Sequence, residues 1–313
     1  MVAEQSPRVG AAMWLQDTLR GSSTLFKVVC YLALRLGRPV GRVLMYLIVV
    51  YFFLFSPTHR RHSLDYLRRV LGRKPSWLDR FRQDFCFGSV ILDRLYLASG
   101  RYELFDVSIQ GAQLMQGALE RGAGAFLMGS HMGSFEVVSA VGRARPGLTV
   151  SWAMYEEYAR KLHEIFLAVN PTARLNIIPL GSAEAMLHLK ECLEQGQFVG
   201  MLADRPHGEQ PAHAVSFLGA QALLPTGPMR LAAVLRQPVF FMVGLYRGAN
   251  RYHVQFEQIA DFSGVPNGGR EAAVRVALER YAALLERCCR SDPYNWFNFY
   301  DFWRGANDTP RAA

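Results

Sequence analysis

A histidine and a carboxylate, His131 and Glu136, lie five positions apart in the run Gly129-Ser130-His131-Met132-Gly133-Ser134-Phe135-Glu136. A neutral imidazole can take a proton from an attacking hydroxyl or amine, and a carboxylate that accepts from Nδ1 fixes the tautomer that leaves Nε2 free to do so. Five positions along a continuous helix are about 140° apart around its axis. His131 must therefore sit in a loop, with the chain folding back to bring the two groups together. Gly129 and Gly133 remove side chains on either side of the histidine and allow close approach by substrate or backbone. The pattern predicts His131 as general base and Glu136 as the group that orients it. The spacing alone is a weak signal, because a histidine beside a glycine is more often structural.

A second polar pair, Asp204-Arg205, follows the apolar run 198–203. In a parallel sheet this pair emerges at a strand's carboxyl end, where open α/β sheets bind ligands. Arg205 can grip a phosphate through two parallel hydrogen bonds or neutralise charge on an acyl donor. Equally, the pair can serve structure alone, since ion pairs by themselves say little about function. Gly133 and Ser134 border the histidine and are expected to touch substrate. Gly219 and Pro225 are expected to line the acyl site as a hairpin and a helix entry, with Phe217 and Gly227 beside them. His207, Glu209 and His213 have no recognised metal-ligand spacing, so no metal is expected. Neither serine nor cysteine shows a nucleophile motif, and Ser130 lacks a GxSxG elbow. Direct attack of acceptor on donor is the reading preferred, with backbone N–H groups near Gly133 or the next helix start as oxyanion donors.

These side chains need strands that end together. After Gly100, short apolar runs alternate with amphipathic stretches, which argues for an α/β sheet. Strands are expected at 105–109, 124–128, 149–154, 175–180, 198–203, 239–246 and 252–259. Helices are expected at 112–121, 135–142, 156–169, 183–195, 227–236 and 270–289. The organisation read from this is a tail over 1–21, a helical region over 22–99, an α/β domain over 100–306 and a second tail over 307–313. The aromatic run 294–303 can cover an acyl chain, though core packing is the commoner use.

The helical region has a membrane-seeking composition. Residues 43–56 form the most apolar stretch, between Pro39 and Pro57, with Arg35, Arg38 and Arg42 before it and Arg60 and Arg61 after it. As a helix it covers roughly 21 Å, short of a roughly 30 Å hydrocarbon core. An interfacial or oblique anchor is expected, against the alternative of a buried core helix. The following helix, 59–71, sets Leu64, Leu67, Val70 and Leu71 on one face and Arg60, Arg61, Arg68 and Arg69 on another, a pattern that suits either solvent or anionic lipid. The first thirteen residues carry no basic start, apolar stretch and cleavage site, so no cleaved leader is expected.

Composition closes off several classes. With 50% hydrophobic and 19% charged residues in 313, most of the chain is expected to fold. The balance of 35 Lys+Arg against 26 Asp+Glu, a formal +9, favours anionic partners such as an anionic phospholipid surface or an acidic carrier protein. Nucleic acid is disfavoured, because the arginines gather near the apolar stretch and no recognised binding motif is present. Five cysteines without CxxC spacing support neither a disulfide framework nor a zinc knuckle and fit a reducing compartment.

The segment His131 to Glu136 resembles the HX4(D/E) motif of the lysophospholipid acyltransferase superfamily. Its surroundings resemble the bacterial lipid A biosynthesis (lauroyl/myristoyl) acyltransferases. The parts in the family's order are an N-terminal apolar helix, the histidine motif, Leu202-Ala203-Asp204-Arg205, Phe217-Leu218-Gly219 leading to Pro225-Thr226-Gly227, and Asp292-Pro293-Tyr294-Asn295-Trp296-Phe297. The resemblance implies a glycerol-3-phosphate acyltransferase-like fold, with a mixed, mostly parallel sheet flanked by helices and a membrane-associating helical N-terminus. It also implies transfer of a fatty acyl group from acyl carrier protein or coenzyme A to a lipid or glycolipid, without a bound cofactor, at the cytoplasmic face of the inner membrane. The family commonly has Asp-Gln where this chain has Asp204-Arg205, and Arg-Pro where it has Ala153-Met154, differences that point to a divergent acceptor. Hydrolysis by the same histidine, and lipid or carrier binding without turnover, are the competing readings.

Overall fold

The computed structural model describes residues 31–55, 57–122, 124–143, 149–160, 176–206 and 210–303. Both expected tails, residues 22–30 of the expected helical region, most of the helix expected over 156–169 and the loop holding His207 and Glu209 lie outside them; residues 31–36 and 156–160 are helical.

Three helices form the N-terminal region: α1 (Arg38–Phe55), α2 (Pro57–Leu71) and α3 (Trp77–Ala98). The apolar helix is longer than the run 43–56 suggests, because Pro39 sits inside its first turn, where a missing N–H costs nothing. Its 18 residues extend about 27 Å. Helix α3 begins where Ser76 accepts from Asp79 N–H and the Asp79 carboxylate returns the bond to Ser76, a capping box. Gly41, Met45 and Val49 are the buried face of α1. Gly88 of α3 allows the close approach: a Cβ there would lie 2.6 Å from Val49 and 2.8 Å from Met45. Two arginines clamp α1 to the rest of the molecule. Arg38 pairs with buried Asp93 at 2.8 Å and 2.9 Å, and Arg42 donates to the Tyr246 hydroxyl and the Ala249 carbonyl, each at 2.7 Å.

The remainder runs β1 (Asp106–Gln110), α4 (Ala112–Glu120), β2 (Ala125–Gly129), α5 (Phe135–Arg143), β3 (Val150–Tyr155), β4 (Ile177–Leu180), α6 (Ala183–Glu194), β5 (Phe198–Leu202), β6 (Ala212–Phe217), β7 (Ala220–Pro225), α7 (Gly227–Val234), β8 (Pro238–Tyr246), β9 (Arg251–Asp261) and α8 (Arg270–Ser291). Seven strands make one sheet in the order β1-β9-β8-β2-β5-β3-β4. Strands β8, β2, β5, β3 and β4 are parallel, and β9 runs antiparallel to β8 and parallel to β1. This is the mixed, mostly parallel sheet expected. β2 and β8 are buried at every position, as strands covered on both faces must be. One hydrophobic cluster fills the space against α2, α6, α7 and α8, and the other fills the space against α1, α3, α4 and α5. Strands β6 and β7 form a separate hairpin, with Leu218 and Gly219 both at positive φ in its turn.

Candidate active site

The geometry follows from strand register. β2 and β5 are parallel neighbours in which Gly129 faces Leu202, and Ala203 N–H donates to the Gly129 carbonyl at 3.0 Å. Two residues further along both strands the chain reaches His131 and Asp204. The carboxylate accepts from the ring at Nδ1 (2.8 Å) through Oδ1 and from the His131 backbone N–H (3.0 Å) through Oδ2. The Trp296 indole N–H also donates to Oδ2, at 3.1 Å. Asp204 is fully buried, and three donors meet its two oxygens.

These contacts set the protonation states. Burial opposes the charge on Asp204, but the His131 ring and N–H together with Arg205 hold its carboxyl well below the usual carboxylate range. Burial lowers the pKa of His131, and nearby Arg205 acts in the same direction against the pull of Asp204. The ring is therefore neutral near pH 7, with its proton on Nδ1 facing the carboxylate and Nε2 as the basic nitrogen.

The contact expected from Glu136 is thus made by Asp204. Glu136 lies buried in the first turn of α5, and its carboxylate pairs with Arg94 of α3 at 2.5 Å and accepts from the Ser134 hydroxyl at 2.8 Å. No hydrogen bond or ion pair joins it to His131. The reason is local: the helix starts at Phe135, so Glu136 already follows the helical path toward α3 while His131 remains beside β5. The partner of Glu136 is Arg94, whose charge is among those that lower the pKa of His131.

The loop itself is rigidly held. Gly133, at φ +63°, approaches β8 so closely that a Cβ would lie 2.0 Å from the Gly244 carbonyl oxygen. Gly133 N–H donates to the Asn295 carbonyl at 2.9 Å and Ser134 N–H to the Gly244 carbonyl at 2.8 Å. These two groups, considered as oxyanion donors from sequence, are committed to structure. The fully buried Ser134 hydroxyl accepts weakly from Val137 N–H at 3.4 Å and so caps α5. Gly219 lies in the hairpin turn and Pro225 ends β7, just before α7. The hairpin's reach to the site is through Phe217, whose ring packs 5.3 Å from Trp296.

The segment 295–297, which the sequence leaves open between covering an acyl chain and packing the core, reaches the site itself. Met132 pairs with Trp296 across an antiparallel bridge, and Phe297 N–H donates to the His131 carbonyl at 2.9 Å. Asn295 bonds both N–H and carbonyl of Tyr246, at 2.8 Å and 3.1 Å, and Gln83 of α3 donates to the Trp296 carbonyl at 2.8 Å. Trp296 therefore positions Asp204, and the helical region in turn positions Trp296. The signal available in the sequence was an Asn-Trp pair amid aromatics, which does not by itself say where the indole N–H goes. Arg205 donates to the Phe297 carbonyl at 2.7 Å and lies over the Tyr300 ring at 5.0 Å. Burial pushes the Cys288 thiol up to about 12, which suits a packed side chain.

Residues 99–305 match the family model of the bacterial lipid A biosynthesis acyltransferases. The chain belongs to this family. It is accordingly an acyltransferase of the lipid A biosynthesis group, and the match contains all of His131, Asp204 and Trp296. No curated protein matches the chain.

Proposed function

We propose that this acyltransferase moves a fatty acyl group from a thioester, carried by acyl carrier protein or coenzyme A, to a hydroxyl of a lipid A-type glycolipid. The observation that carries the reading is the 2.8 Å contact between His131 Nδ1 and Asp204. Nε2 takes the acceptor's proton as its oxygen attacks the thioester carbonyl. The tetrahedral adduct then collapses, breaking the C–S bond, and the imidazolium returns the proton to the departing sulfur. Asp204 stabilises the imidazolium between these steps, as the carboxylate does in other carboxylate–histidine sites.

The membrane reading rests on α1. Opposite its packed face, Val43, Leu47, Tyr51, Leu54 and Phe55 are between 57% and 69% exposed, an apolar stripe down the whole helix. By length and composition Arg38–Phe55 is the one helix among the described residues that suffices to cross a membrane. Its inner face is packed along α3 and its first turns are held by Arg38 and Arg42. This favours an anchor lying in the interface of the cytoplasmic leaflet with the stripe toward the acyl chains. Arg61 and Arg68 of α2 are exposed and suit anionic headgroups, whereas Arg69 is drawn to Asp65 at 3.3 Å and over the Trp303 ring at 4.4 Å.

Purified protein incubated with labelled acyl carrier protein thioester and lipid A precursor in mixed micelles tests the proposal. An acylated lipid is the expected product. Free fatty acid without acylated lipid supports hydrolysis instead, and binding of both substrates without product supports a non-catalytic module.

A further inference from the structure

Large apolar side chains are exposed unevenly over the molecule. Eleven of the fifteen that stand exposed among the described residues fall within residues 31–78, so the solvent-facing apolar surface gathers on the helical region. Nine of them lie on α1 or the helical residues just before it. The other two, Trp77 and Leu78, open α3 and are 66% and 45% exposed. Tryptophan is highly buried on average, and an exposed apolar patch with a polar rim marks a contact surface.

The turn that carries these two side chains is firmly held. Buried Asp79 accepts from the Arg73 fork at 2.7 Å and 2.9 Å, from Ser76 N–H at 2.7 Å and from the Tyr294 hydroxyl at 2.7 Å. Trp77 and Leu78 stand four and three residues before Phe81 and so share its face of the helix. The Phe81 ring packs on Phe53 at 5.5 Å and on half-exposed Tyr46 at 5.7 Å, both of α1. The two helices run antiparallel, from the Arg38–Asp93 pair to the Phe53–Phe81 contact, which puts Trp77 and Leu78 at the end of α1 that carries exposed Leu54 and Phe55. Arg73, Lys74 and Arg82 are exposed in the same stretch, and Arg82 is one turn from Leu78. Asp79 balances Arg73 and Asp84 faces Arg80, which leaves Lys74 and Arg82 as net positive charge.

We propose that Trp77 and Leu78 form a second membrane contact, entering the boundary between headgroups and acyl chains of an anionic bilayer while Lys74 and Arg82 meet its headgroups. The inference rests on the reading of this protein as membrane-associated. An indole with an apolar neighbour and a cationic rim matches that boundary. An acidic soluble protein would match the charges but leave the indole, and the α1 stripe that it continues, without an apolar partner. The bond from the Tyr294 hydroxyl joins this turn to the segment that carries Trp296, so the contact fixes the active site against the bilayer surface.

Partition of the full chain onto vesicles tests this. Vesicles of phosphatidylcholine with phosphatidylglycerol are compared with pure phosphatidylcholine, and a brominated phosphatidylcholine serves as quencher of tryptophan fluorescence. Trp77→Ala lowers partition onto the anionic vesicles about tenfold and Leu78→Ser about threefold, the scale of the apolar area withdrawn. Both leave the melting temperature almost unchanged, because the side chains are exposed. Lys74→Gln lowers the preference for anionic over uncharged vesicles about fivefold. In Trp77→Phe, which keeps an apolar ring and so still binds, the part of the emission quenched by bromolipid falls. Unchanged partition in both Trp77→Ala and Leu78→Ser, or unchanged quenching in Trp77→Phe, overturns the proposal. So does a change of oligomeric state or of carrier-protein binding in these variants with vesicle binding intact, which would give the patch to a second copy or to the carrier. An unmodified chain that ignores vesicles altogether overturns the membrane reading itself. Partition lost in Leu47→Glu with Leu54→Glu but kept in both Trp77→Ala and Leu78→Ser retains that reading and removes this contact alone.

Discussion

Asp204→Asn is the substitution whose outcome the structure specifies most fully. The carboxylate Oδ2 accepts from two N–H groups, those of His131 backbone and Trp296 indole, while Oδ1 accepts from His131 Nδ1 alone. Asparagine has one acceptor oxygen and one NH2 group. With its oxygen at the Oδ2 position, both fixed donors stay satisfied and the NH2 faces the ring. With the oxygen toward the ring, two buried N–H groups face an NH2, at about 1–3 kcal/mol for each unmet donor. The first arrangement therefore wins by about 2 kcal/mol or more. It forces Nδ1 to accept and moves the ring proton to Nε2, so the nitrogen that should take the acceptor's proton already carries one. The expected loss is about 10² to 10⁴ in kcat, the range of a lost general base. Single-turnover transfer from a labelled acyl thioester measures it, with KM for the donor expected to stay within about threefold, because ground-state binding is little altered. A variant that folds and keeps more than about a tenth of wild-type kcat would refute the assignment of Asp204, and a larger loss in Glu136→Gln would return the orienting role to Glu136.

Three further outcomes follow. Since burial and Arg205 both lower the pKa of His131, kcat/KM should rise with pH through a midpoint below 6.5 and be flat near neutrality; Arg205→Gln removes a positive charge and should move that midpoint upward, and an unmoved or lowered midpoint would count against the electrostatics described. Gly133→Ala places a Cβ 2.0 Å from the Gly244 carbonyl oxygen at positive φ, so chemical denaturation should show a loss of about 2 kcal/mol or more, whereas a change under about 0.5 kcal/mol would mean the loop yields easily. Leu47→Glu with Leu54→Glu should weaken binding to anionic vesicles by more than about tenfold, as two exposed leucines are withdrawn from apolar contact, while leaving the melting temperature almost unchanged; equal vesicle binding would place the membrane contact elsewhere.

Much of this fold was legible because the central strands carry short apolar runs between turn residues, while β1 and β9 alternate apolar with polar residues. The parallel core strands are buried on both faces and so read as continuous hydrophobic stretches. His131 and Asp204 were each legible as polar residues just beyond such a run. Their pairing was not, because it depends on β2 and β5 being neighbours in register, a fact of tertiary structure that no local spacing contains. The local pair His131 and Glu136 drew attention for the opposite reason: proximity in sequence is visible, but a helix start between the two sends them apart. Trp296 was hidden among aromatics that mostly do pack the core, and only its indole N–H distinguishes it. The run 43–56 marks only the most apolar part of α1, whose helix starts at Arg38 with Pro39 in its first turn, a place a proline near a helix start is expected to take.

The central claim is that His131 supplies the base for acyl transfer. Its most direct test is the single-turnover rate of His131→Ala against the unmodified enzyme, with identical acyl thioester and lipid A precursor and with the acylated lipid quantified by mass spectrometry. The rate is expected to fall by at least about 10² with both substrates still bound. Transfer by the alanine variant at the wild-type rate would contradict it.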